Sequence, residues 1–264
     1  MVALAVLLLV PVCMWGGQSI MLRRAGLPIR LRIGADDLPP GLRRWNRVIT
    51  QAAFAAVLIG YPLLCGQSPV AYYGGYLPLG RRPLELLYGA AAAVLYLCLL
   101  YAAWVASDNV HFRARHAGPR LLRRIAAAPL TAVFAAGVEE LLFRAVLLVG
   151  LLETFDEVSA MAIGAMLFAG AHYIRRVKRY WTFAGHVVLG VLLCAAFVWT
   201  KALWLPLGLH AGGVLVLAGV RPLVRYTGPA WLVGASIYPY AGVVGITALL
   251  LLTVNIWLAF GGGS

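Results

Sequence analysis

Apolar positions fall along the chain in long unbroken runs. They show neither the alternation of a half-buried strand nor the narrow stripe of a surface helix. The runs are Met1–Trp15, Ile49–Cys65, Leu84–Ala106, Ala128–Leu152, Val158–Tyr173, Phe183–Trp199, Leu203–Val220 and Ala235–Phe260. Runs of this kind predict helices that cross a bilayer. The expected fold is therefore all-α, a polytopic membrane protein of about eight transmembrane helices. Neither repeats nor low-complexity linkers interrupt it, so residues 1–264 read as a single integral membrane domain. Pro11 is expected to bend the first run. The last run is longer than one crossing needs, which predicts tilt or a part outside the bilayer.

The polar stretches between runs carry the second pattern. The first, third, fifth and seventh loops hold 7, 5, 4 and 2 Lys/Arg, and the even loops hold only Arg81, Arg82 and Lys201. Short loops rich in Lys/Arg stay in the cytoplasm, so the odd loops are expected there and both termini outside, in the cell membrane. The first run fits this orientation. It has no basic residue before it and an arginine cluster after it, the reverse of a secretory signal, with a cleaved signal as the alternative. In the first loop, Asp36-Asp37 and Pro39-Pro40 predict irregular structure.

Composition then narrows the classes. With 62% hydrophobic and 12% charged residues, the net charge of +13 marks topology and anionic lipid, not nucleic acid. Cys13, Cys65, Cys98 and Cys194 are scattered without ligand spacing and read as small apolar residues.

One run breaks the apolar rule. Ala128–Leu152 carries Glu139, Glu140 and Arg144 near its centre. Each ionisable group there costs about 2.5–3.5 kcal/mol on insertion scales, so it must be paired or hydrated. Glu140 and Arg144 are i,i+4 and can pair, whereas Glu139 lies about 100° around the axis and points elsewhere. The alternative is a buried ionic clamp of all three. Two histidines fall within other runs, His172 in FAGAH and His210 in LWLPLGLHAGG. A lone histidine of this kind often serves only an interhelical hydrogen bond. A carboxylate and two imidazoles on three helices are also what a water-activating site needs. His186, beside the basic fifth loop, reads as interfacial, and His111 and His116 belong to the third loop.

These motifs carry a family resemblance. EELLFR (139–144) resembles the EExxxR motif of the CPBP family, the CAAX proteases and bacteriocin-processing enzymes also called Abi proteins. FAGAH, with Phe168 and His172, resembles its FxxxH motif. TKALWLPLGLHAGG resembles its third motif, with Leu203, Trp204, Pro206 and His210 in place. The three motifs, in this order and each on its own run, set the family-like catalytic core at about 128–220. The resemblance implies an intramembrane endopeptidase in which Glu139 is the general base, His172 positions the water and His210 stabilises the oxyanion. Glu140 and Arg144 would brace the helix, with Phe168 in support. It further implies a membrane-anchored peptide or protein substrate cut near its anchor, leader or sorting signal, and no cofactor. Zinc held by Glu139, His172 and His210 is the competing account, though HExxH is absent. One departure stands out. The family often has Asn or Asp four residues after the third-motif histidine, and Val214 occupies that position here. A non-catalytic peptide-binding chaperone or immunity protein of the same fold is therefore a second expectation. A transporter is disfavoured, because no inverted repeat is present.

Overall fold

A computed structural model describes residues 2–30, 38–80, 82–114, 118–173, 180–234 and 238–263. Asp36-Asp37, His116 and the basic residues Arg32, Arg81, Arg115, Arg175, Arg176, Lys178 and Arg179 lie outside the described residues.

The apolar runs are helical. In chain order they form α1 (Val2–Arg24), α2 (Pro40–Leu64), the short α3 (Pro69–Gly74), α4 (Pro83–Ala106), the surface helix α5 (Pro119–Ala126) and α6 (Ala128–Glu140). From α6 the chain continues without a break through a π-helical segment, Leu141–Leu148, into α7 (Val149–Leu152). Then come α8 (Glu157–Ala171), α9 (Phe183–Thr200), α10 (Trp204–Val220), the four-residue α11 (Ala230–Val233) and α12 (Val243–Phe260). Among the described residues, α1, α2, α4, α9 and α12 are long and apolar enough to cross a membrane, and α8 and α10 are shorter apolar helices. A count of eight crossings would add α8, α10 and the composite α6–α7 run to those five.

Three expectations change. The first helix runs to Arg24, well past Trp15, and Pro11 sits inside it. Pro40 opens α2 instead of marking irregular chain, as suits a residue with no N–H to leave unpaired at a helix start. The last run is not one long helix. Gly234 takes φ +75°, the stretch Pro239–Ala241 is a 3-10 turn, and α12 begins only at Val243. Pro239 and Gly242 account for the break, since neither favours a continuous helix here.

Helix α10 is central. It packs along α4 backbone to backbone: a Cβ on Gly89 would lie 2.6 Å from the Leu205 carbonyl oxygen, and one on Gly212 2.6 Å from that of Ala90. Gly208 faces the Leu86 carbonyl just as closely. Such approach between helices in lipid needs small residues. The loops sort by parity. Strands β1 (Val110–Phe112) and β2 (Val224–Tyr226) pair antiparallel, with His111 opposite Arg225, and so join the third and seventh loops. At the other end Arg82 donates to the Thr200 carbonyl, Trp204 Nε1 donates to Pro78 O at 2.8 Å, and Lys201 pairs with Glu157 at 3.1 Å. Nearby, Asp156 caps α8 by accepting from Ser159 N (3.0 Å) and Oγ (2.6 Å), which holds its carboxyl below the usual range.

Candidate active site

Glu139 and Glu140 close helix α6, and the π-helical segment starts at the next residue. A π turn bonds i→i+5, which widens the coil and frees a carbonyl; such turns are frequent at functional sites. Here the Tyr72 hydroxyl of α3 donates to Ala145 O at 2.7 Å, which satisfies a carbonyl inside the segment. All but Leu141 of the eight π residues are buried.

Glu140 is 1% exposed. Its Oε1 accepts from Arg144 Nη1 at 3.1 Å and from His210 Nδ1 of α10 at 2.6 Å. Arg144 is fully buried, and its guanidinium carbon lies 4.7 Å above the Phe168 ring, a cation–π contact. Phe168 also meets Phe143 edge-on at 5.2 Å and His172 at 4.9 Å. The expected Glu140–Arg144 pair therefore exists, and it extends to a second helix through His210.

Glu139 faces the other way and is 31% exposed. Its Oε2 lies 3.7 Å from His210 Nε2 and 3.9 Å from His172 Nε2, too far for direct hydrogen bonds, and has no hydrogen-bond partner among the described residues. The structure thus brings Glu139, His172 and His210 together at one point. His172, at the C-terminus of α8, sets Nδ1 2.9 Å from Phe168 O. A carbonyl only accepts, so Nδ1 carries the proton and the Nε2 lone pair faces Glu139. By the same reasoning His210 gives its Nδ1–H to Glu140. Among the described residues no group of three His, Cys, Asp or Glu is arranged to hold a metal ion.

Two apolar cavities meet at this point, and both are lined by Glu139 and His172. One, of about 280 Å³, also reaches His210, Val214, Tyr238 and Tyr240. The other, of about 540 Å³, extends between α1 and α2 past Leu8, Met14 and Phe54.

His186, in the first turn of α9, is enclosed by protein. It is 1% exposed, with Nδ1 2.9 Å from Thr182 O and its ring 4.6 Å from that of His172 and 4.4 Å from that of Tyr238. The turn Pro239–Ala241 folds over it: Tyr240 packs 5.5 Å from its ring, and Ala241 abuts Gly185. That cover comes from more than fifty residues along the chain, and local hydropathy carries no signal of it.

The fold and the site together define a multi-helix membrane protein with a glutamate and two histidines at the meeting of two cavities. Residues 121–216 are similar to the family model described as Rce1-like, type II CAAX prenyl endopeptidase, which is of the CPBP family of intramembrane endopeptidases. No curated protein and no solved structure matches the chain.

Proposed function

We propose that the protein is a glutamate-dependent intramembrane endopeptidase that cuts a membrane-associated peptide near its anchor, leader or sorting signal. The observation that carries this reading is the unpartnered Glu139 carboxylate between two imidazole nitrogens at 3.7 and 3.9 Å. One water about 2.8 Å from Glu139 Oε2 and His172 Nε2 would donate a hydrogen bond to each. Its lone pair is then left for the peptide carbonyl carbon. Glu139 takes the first proton as attack proceeds and returns it to the amine as the C–N bond breaks. His210, held by Glu140, faces the developing alkoxide. The apolar cavity walls suit a substrate that arrives from lipid, and the Lys/Arg-rich odd loops orient the chain with both termini outside. The protein works without a cofactor in this account, and zinc at the same three side chains is the rival.

The test is cleavage in detergent or proteoliposomes by the wild type and by Glu139→Gln, each with and without a chelator. The substitution is expected to lower turnover by about 10³-fold or more, and chelation to leave the wild type unchanged. Activity lost to the chelator and restored by zinc would overturn the glutamic account. A fully active Glu139→Gln would overturn Glu139 as base.

A further inference from the structure

The two histidines leave the site short of donors. His172 presents a lone pair at Nε2, because its proton is on Nδ1 toward Phe168 O. With Nδ1–H given to Glu140, His210 offers a proton from Nε2 only as the imidazolium. Glu139 accepts only. An alkoxide forming here requires a donor that is present in every protonation state of the histidines. The wall one turn along α10 from His210 is Val214, whose side chain has no polar atom.

Two tyrosines line the same cavity. Tyr238 and Tyr240 follow the break before α12, and among the described residues neither hydroxyl has a hydrogen-bond partner. The rings are placed differently. Tyr240 is 7% exposed and packs against Gly245, where an added Cβ would lie 2.6 Å from the Tyr240 Cα. Tyr238 is only half-buried, and its ring stands edge-on 4.4 Å from His186, whose ring also meets that of His172 at 4.6 Å. His186 is itself anchored through Thr182 O and the Tyr173 hydroxyl. The contacts His172–His186–Tyr238 link the tyrosine, through His186, to the imidazole proposed to orient the water.

We propose that Tyr238 is a catalytic residue that donates its hydroxyl hydrogen to the tetrahedral oxyanion, with His186 as the positioning residue that holds it. This rests on the endopeptidase reading above. The step balances: water oxygen bonds to the carbonyl carbon as Glu139 takes its proton, and the carbonyl π pair moves onto oxygen. Tyr238 O–H hydrogen-bonds that alkoxide without transferring its proton. The pair then returns, the C–N bond breaks, and the amine leaves with the proton from Glu139. Tyr238 supplies the donor that Val214 cannot.

The experiment uses the full chain in proteoliposomes, with a fluorogenic farnesylated CAAX peptide and a fluorogenic unlipidated apolar peptide as probes. Tyr238→Phe is expected to lower kcat by about 10²–10³-fold with KM and melting temperature near wild type, and Tyr240→Phe to change kcat only a few-fold. Val214→Asn placed in the Tyr238→Phe background is expected to recover about tenfold of the lost kcat, which a merely structural role for Tyr238 would not allow. His186→Ala should lower kcat, and His186→Phe, which keeps the ring, should restore part of it. Wild-type kcat in Tyr238→Phe overturns the proposal, and so does failure of Val214→Asn to rescue a folded variant. Failure of the endopeptidase reading looks different: neither probe is cut by any variant. Binding of a peptidyl aldehyde, whose hydrate presents the tetrahedral oxygen, then decides the point alone. Loss of binding in Tyr238→Phe supports the donor, and equal binding overturns it.

Discussion

Two sides of one helix, separated by a single peptide bond, have been put to opposite uses. Behind Glu140 the space is closed. The carboxylate is 1% exposed and holds Arg144 and His210 at once, with Phe168 over the guanidinium. In front of Glu139 the space is open. That carboxylate is 31% exposed, has two imidazoles nearby and no direct partner among the described residues, and borders both cavities. Residue type, helix and membrane depth are the same for both. The difference comes from what the neighbouring helices present, so the same residue is locked into a cluster on one face and left open to a cavity on the other, which is why the base is proposed to be Glu139.

The sharpest way to break that comparison is to remove each glutamate in turn. Glu139→Gln should leave the melting temperature in detergent near wild type while turnover disappears. Glu140→Gln should do the reverse first, because it strands Arg144 as an uncompensated buried charge at a cost of about 3–5 kcal/mol. The double change Glu140→Ala with Arg144→Leu removes both charges and should regain part of that loss. A stable, inactive Glu140→Gln beside an active Glu139→Gln would reverse the two assignments. A smaller effect is expected at the contact that carries His210 to the site. A methyl group at Gly208 meets the Leu86 backbone, which cannot yield as a side chain would. Gly208→Ala should therefore cost about 1–3 kcal/mol and lower turnover by moving His210, two residues on. Smallest of all is the exposed Lys201–Glu157 pair, each member 60% exposed. Lys201→Ala should change stability by no more than about 1 kcal/mol and leave cleavage unaltered. A loss as large as that of Glu140→Gln would mean that the even-loop end, not the Glu140 cluster, holds the helices together.

Much of this arrangement is legible in the chain. Hydropathy locates the helices, because in lipid every backbone group must be bonded within its own segment and long apolar runs have no other stable form. The i,i+4 spacing of Glu140 and Arg144 carries their pairing, and the angle between adjacent residues separates Glu139 from them. What is not legible depends on distant segments. The π-helical turns leave no mark on an all-apolar stretch. The second partner of Glu140 is seventy residues away on α10. His186 reads as interfacial beside a run of arginines, and the turn Pro239–Ala241 that packs over it comes from a distant segment. The β1–β2 pairing likewise joins two loops that show little strand pattern of their own.

That short ribbon bears on how the protein moves. Helices α4 and α10 touch through Gly89, Gly208 and Gly212 along their length, and β1–β2 ties the chain leaving one to the chain leaving the other. Close backbone contact leaves little slack for sliding, and the ribbon resists splaying at one end. The pair therefore behaves as a fixed frame, and His210 rides on it. On the proposed function, a bulky substrate would enter where α1 and α2 border the larger cavity. In that account the fixed frame is the anvil of the device, and the first two helices are its door.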